Sequence, residues 1–148
     1  MRNQSFTAHF LVDKTPAEVF SAINDVRSWW SGDIEGDADR LGGRFTYCYA
    51  QMHKSTQQVT ELVPGKKVVW HVTDGYLSFV KDKATWKDTE VVFEIKERGS
   101  KTELRFTHLG LDPGCECYDA CSEGWNAFIT GNLRQRILTG ESQSDPFE

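Results

Sequence analysis

The chain has 148 residues, enough for one domain of ordinary size and for a core that needs no covalent staple. With 22 acidic against 17 basic side chains the formal net charge is -5, which disfavours nucleic acid and polybasic attachment to a membrane surface. No apolar run approaches the roughly 18 residues a spanning helix needs. Met1-Arg2-Asn3-Gln4-Ser5 leads straight into a strand pattern without a signal-peptide core, so the expected compartment is the cytoplasm.

Phe6, Ala8, Phe10 and Val12 share one face of a first strand, with Thr7, His9 and Leu11 on the other. Thr15-Pro16-Ala17-Glu18 then predicts a capped helix to about Asn24. Thr15 can accept from the Glu18 amide, Glu18 can reach back to the Thr15 amide, and Pro16 lacks a donor it would not have used. Val19, Phe20 and Ile23 point inward. Residues 26–31 form a short turn with Trp29 and Trp30 side by side, and residues 32–43, rich in glycine and aspartate, read as a loop. The acids Asp33, Glu35, Asp37 and Asp39 fail the calcium-loop pattern: counted from Glu35, Arg40 stands where glycine belongs and Thr46 where glutamate belongs.

Residues 44–49 alternate strictly and put Phe45, Tyr47 and Tyr49 on one side. Residues 55–63 and 67–73 predict an antiparallel hairpin around Pro64-Gly65, with Val68, Trp70 and Val72 on one face. Residues 76–80 add an edge strand, and residues 81–88 are a charged excursion around Trp86. Val91, Phe93 and Ile95 share a strand face, residues 98–101 turn tightly, and Leu104, Phe106 and His108 share the next face. Leu111-Asp112-Pro113-Gly114 breaks the sheet. A final helix runs from near Tyr118 to about Leu138, with Trp125, Phe128, Ile129, Leu133 and Ile137 on one side and Gly140 as its stop. Gly124 and Gly131 inside it each cost about 1 kcal/mol relative to alanine, which predicts close packing against another element. Residues 141–148 read as a fraying polar tail, leaving residues 1–140 as a single domain.

The order β-α-β(5–6)-α predicts an α+β fold: a curved antiparallel sheet of six or seven strands wrapped around a long C-terminal helix. The same landmarks resemble a known family. Thr15-Pro16-Ala17-Glu18-Val19-Phe20 followed by Trp29-Trp30 resembles the opening of the START-like helix-grip (SRPBCC) superfamily, in the branch named after the activator of the heat-shock-protein-90 ATPase. Thr102-Glu103-Leu104-Arg105-Phe106-Thr107-His108, then Gly110-Leu111, Gly124-Trp125 and Phe128, resemble that branch's closing strand and helix. The resemblance spans about residues 5 to 139. It implies a deep apolar cavity between sheet and helix, suited to a lipid, sterol, polyketide or other hydrophobic ligand. It implies, second, a module that regulates a chaperone ATPase, although the co-chaperone's additional amino-terminal domain has no counterpart here.

Within that frame Tyr47, Tyr49, Trp70, Phe93 and Phe106 are expected to converge with Trp125 and Phe128 on one interior. Phe45 and Ile129 share the same faces. Their alternative is an ordinary packed core, but a buried tyrosine hydroxyl wants a partner that a guest could supply. Trp29 and Trp30, beside the glycine-rich loop, are placed at the cavity mouth. His108 points inward, as a ligand hook, a proton donor or a satisfied polar group. Glu61 shares parity with Val59 and is its better carboxylate partner for cyclase-like or hydrolase-like chemistry, whereas Glu94 faces outward. No nucleophile elbow, zinc, phosphate-loop or dinucleotide motif occurs, so no metal and no cofactor is expected. Cys115, Cys117 and Cys121 match no zinc or thioredoxin spacing and read, like Cys48, as small hydrophobes in a reducing compartment. Homodimerisation through sheet edges or helix ends would leave no signature. The expected function is binding of a small hydrophobic or aromatic ligand.

Overall fold

The computed structural model describes residues 5–30, 32–49, 52–78, 86–111 and 118–144. Strand β1 (Ser5–Val12) buries Phe6, Ala8, Phe10 and Val12, alternating with exposed positions. Helix α1 (Pro16–Asn24) begins at the predicted capping box: the Glu18 N–H donates to Thr15 Oγ1 and the Thr15 N–H to Glu18 Oε1, each at 3.1 Å. A 3-10 turn at Val26–Ser28 follows and delivers the two tryptophans.

Strands β2 (Asp33–Gly36), β3 (Arg44–Tyr49), β4 (His53–Val63), β5 (Lys67–Leu77), β6 (Glu90–Arg98) and β7 (Lys101–Leu109) join β1 in one seven-stranded sheet. Every neighbouring pair is antiparallel, in the order β1-β7-β6-β5-β4-β3-β2. The C-terminal helix consists of α2 (Tyr118–Trp125), a π-helical segment (Asn126–Leu133) and α3 (Arg134–Thr139). It stops at Gly140, whose φ of 76° is the left-handed cap that glycine takes without strain. This is the α+β helix-grip architecture. Among the described residues no helix is long and apolar enough to cross a membrane.

Four local readings change. The glycine- and aspartate-rich segment contains β2, which pairs with β3 and is pinned by Arg27, whose Nη2 donates to the carbonyls of Ile34 (3.0 Å) and Gly36 (3.1 Å). An edge strand held by long-range pairing needs no hydrophobic alternation of its own. The stretch from Tyr76 is the continuation of β5 to Leu77, paired with β4; residues 79–85 lie outside the described residues. At Gly124 and Gly131 an added Cβ would meet nothing within 4 Å, so neither glycine marks a close approach. The start of the tail is tied down: the Gln143 N–H donates to Ser28 O at 2.8 Å and Asn132 Nδ2 to Ser144 O at 2.9 Å. Cys115, Cys117 and the break at residues 112–114 lie outside the described residues; Cys121 is buried and Cys48 half-buried.

Two β-bulges re-aim the middle of the sheet. Thr60 in β4 and Thr73 in β5 have no register partner, and their hydroxyls donate to Val69 O (3.4 Å) and Thr56 O (3.3 Å). An unpaired residue flips the parity of everything after it. In β4, Ser55, Gln57 and Val59 are buried before the bulge and Leu62 packs on the core after it. In β5, Val68, Trp70 and Val72 face in before the bulge, Gly75 and Leu77 after it.

Candidate ligand pocket

The sheet and the C-terminal helix enclose two different interiors. Beneath the helix's second half the space is filled. Ile129, Leu133 and Ile137 are buried there, next to α1 and β1. Deeper in, Trp29, Phe45, Trp70, Phe93 and Phe106 are each at most 1% exposed. They interlock edge to face, with ring centroids 4.9 Å apart for Phe45–Trp70 and Trp70–Phe93 and 5.2 Å for Phe93–Phe106. These five rings and Ile129, expected at a ligand, are therefore core. Trp29 is not at the mouth: the 3-10 turn swings its ring under the end of α1, where Nε1 donates to Ala22 O at 3.1 Å.

Under α2 a cavity of about 370 Å³ remains, within the range of about 300–1,000 Å³ that small-molecule sites occupy. The helix contributes Ala120, Cys121, Glu123, Gly124, Trp125 and Phe128 to its wall. The sheet contributes Tyr47, Tyr49, His53 and Leu77, and the connections contribute Trp30, Met52 and Trp86. Met52 and Glu123 are exposed and form the rim. Clefts of about 500 Å³ beside Phe20 and Pro64, and of about 530 Å³ between Arg27 and Asp37, are larger, but neither is walled by a buried ring.

Five rings form one connected cluster that borders this cavity. Trp30 stacks on Tyr47 at 3.9 Å, Tyr47 meets His53 edge-on at 5.1 Å, and His53 meets Trp86 edge-on at 4.5 Å. Trp86 stacks on Trp125 at 5.6 Å, and Trp125 returns to Trp30 at 5.2 Å. Offset-stacked and edge-to-face pairs are the favoured ring arrangements, so the wall holds itself in shape. Gly75 makes room for it: a Cβ there would sit 2.9 Å from Trp86 Cβ. The indole N–H of Trp86 is buried without a hydrogen-bond partner among the described residues.

His108 stands behind this wall rather than in it. It is fully buried, and Trp125 Nε1 donates to its Nδ1 at 3.0 Å. An indole nitrogen only donates, so the proton of the imidazole sits on Nε2 and is given to Thr89 Oγ1 at 2.9 Å. The Thr89 hydroxyl passes its own proton to the Trp86 carbonyl. One relay thus fixes the ring of Trp125 and the backbone of Trp86. Burial, with a smaller contribution from His53, pushes the His108 imidazole down to about 3, so it is neutral and satisfied. It is a strut, neither hook nor proton donor.

His53 does line the cavity. Its Nε2 lies 2.9 Å from Ser55 Oγ, which accepts from Gln57 Nε2 at 2.6 Å, while Gln57 Oε1 is buried without a partner among the described residues. Part of the ring reaches the open side of the cavity, yet Tyr47, Trp30 and Trp86 enclose the rest, and burial pushes it down to about 4. Glu61 is on the outer face, exposed and 3.7 Å from Lys67 Nζ, because the Thr60 bulge reverses its parity. The acid-base pair of His108 and Glu61 is not formed.

Of the residues expected at a ligand, Trp30, Tyr47, Tyr49, Trp125 and Phe128 line the cavity. Sequence reading missed His53, Leu77 and Trp86 among others. His53 was legible in principle: its odd-numbered parity with Ser55, Gln57 and Val59 points it inward once the strand is begun two residues earlier. Trp86 was signalled by a large ring stranded among charges. Leu77 required knowledge of the Thr73 bulge.

The family model described as "Activator of Hsp90 ATPase homolog 1-like protein" matches residues 13–137. A search of curated proteins returns no match. Among solved structures, the Aha1 dimer from Colwellia psychrerythraea is similar over 92% of this chain and 97% of that one, at 22% identity and a TM-score of 0.73. DynU16, a protein in the dynemicin biosynthetic locus, is similar over 94% of this chain and 49% of its own, at 17% identity and a TM-score of 0.69. CalU16 from Micromonospora echinospora is similar over 96% of this chain and 69% of its own, at 18% identity and a TM-score of 0.63. At these identities the structural likeness establishes the shared fold. With 125 consecutive residues matched by the family model, the chain belongs to the family of activator of Hsp90 ATPase homolog 1-like proteins.

Proposed function

We propose that this protein binds a small hydrophobic or aromatic ligand in the cavity beneath α2. The observation that carries the reading is the contrast inside one core: buried rings interlock at one end, while at the other a cluster of five touching rings borders about 370 Å³ of space. A domain that only needed to fold would gain by filling that space, since interiors pack like organic crystals. The unpartnered Trp86 N–H supports a guest that carries a carbonyl or hydroxyl oxygen.

Three tryptophans line the cavity, so a bound guest reports itself as quenching of intrinsic fluorescence. A panel of fatty acids, sterols and polycyclic aromatic polyketides should contain quenchers. A guest at a hundredfold excess over its dissociation constant should add about 2.7 kcal/mol to stability. No quenching and no thermal shift across the panel would overturn the reading. The family description supports a second reading, regulation of a chaperone ATPase. Stimulated ATP turnover on mixing with a chaperone of that class would favour it. The large exposed apolar side chains, among them Leu41 and Met52, are spread over six separate segments.

A further inference from the structure

The walls of the cavity are uneven in charge. Among the described lining residues Glu123 is the sole charged side chain, and none of them is a lysine or arginine. Glu123 is exposed at the rim, beside Gly124 in the cavity wall, and it takes part in no ion pair or hydrogen bond among the described residues. The other polar ring in the wall, His53, offers no compensating charge at neutral pH, since burial keeps it uncharged. Trp30, Tyr47, Trp86 and Trp125 present π-systems to the same space, and aromatic faces attract cations.

We propose that Glu123 selects the guest by charge: the cavity takes an aromatic body bearing a cationic amine that ends at the rim, and rejects the matching carboxylate. This rests on the reading of the cavity as a ligand site. An anionic end would have to leave water beside a carboxylate with no counter-ion among the described lining residues, whereas an ammonium gains both the carboxylate and the rings. The net charge of -5 acts in the same direction on the approaching guest.

The test uses three probes with one aromatic body: naphthylmethylamine, naphthylmethanol and naphthoate. Their affinities are measured by calorimetry, with the indole N–H signal of Trp86 as a check that each enters the cavity. The amine should bind tightest and the carboxylate weakest, with a spread of at least about tenfold, since rim charges act in partial solvent. Glu123→Gln should collapse most of that spread, Glu123→Lys should invert the order, and high salt should narrow it. Because Glu123 is exposed, both variants should keep the wild-type far-ultraviolet signal. Equal affinities for all three probes, or a spread that Glu123→Gln leaves intact, would overturn charge selection while leaving the cavity as a binding site. Failure of all three probes to bind would overturn both readings.

Discussion

The two halves of the C-terminal helix rest on opposite kinds of interior, although both carry apolar residues at helical spacing. The second half, with Ile129, Leu133 and Ile137, lies over fully buried rings that interlock edge to face. The first half, with Trp125 and Phe128, lies over a cavity bordered by rings that touch one another. Hydrophobic periodicity is the same in both. What differs is the volume supplied from the facing strands: Phe45, Trp70 and Phe93 reach across at the filled end, while at the other the Thr73 bulge turns in Gly75 opposite the small, polar Ser55. Apolar patterning therefore states which way a side chain points, and not whether the space it points into is full.

The comparison can be broken most sharply by truncation. Phe93→Ala, at the filled end, should cost about 3–5 kcal/mol in chemical denaturation, as large-to-small changes of buried aromatics do. Met52→Ala, at the cavity rim, should stay within about 0.5 kcal/mol. Similar costs at the two sites would mean that the cavity end is as tightly built as the other.

Acid should act on the strut behind the cavity wall. His108 is held down to about 3 and His53 to about 4, against 6.5 in an unfolded chain. The unfolded state therefore takes up protons first, and stability is complete above pH 6.5 and falls as pH drops toward 3. His108 alone should remove about 2 kcal/mol by pH 5, at about 1.4 kcal/mol per unit. Urea midpoints at pH 7 and pH 5 measure this, and His108→Gln should flatten the slope. A wild-type stability that is level between those two values would show the imidazole to be solvated.

Gly124→Leu separates fold from function. A Cβ at Gly124 meets open space, and leucine is the better helix former by somewhat under 1 kcal/mol, so stability should hold or rise slightly. The side chain would occupy the cavity, and affinity for any guest should fall at least about tenfold, or about 1.4 kcal/mol. Unchanged affinity would place the guest elsewhere. The smallest effect is expected at Glu61, whose exposed contact with Lys67 is worth under about 1 kcal/mol. Glu61→Gln should change neither melting temperature nor binding, and a loss of binding would reopen its part in the site.

Much of the fold was legible. The capping box, the burial faces of β1, β3, β6 and β7, the apolar side of the last helix and its Gly140 stop all follow from neighbours within a turn or an alternation. The site was legible in part. Trp30, Tyr47, Tyr49, Trp125 and Phe128 were found because their parity was right and their space is open. Trp29, Phe45, Trp70, Phe93, Phe106 and Ile129 had equally correct parity and filled space. His108 was rightly turned inward, but its neutrality came from burial, and its two nitrogens are satisfied by Thr89 and Trp125, 19 and 17 positions away. Glu61 failed because one unpaired threonine precedes it.

Caps, alternation and helical spacing are interactions among residues close along the chain, so the order of letters alone determined most of the elements, their sequence and their inward faces up to the first bulge. Whether the enclosed volume is filled depends on how side chains from seven strands and one helix add up across the interior, and on bulges that only pairing reveals. That sum belongs to the tertiary structure, which put the hollow beneath α2 and made His108 a support for it.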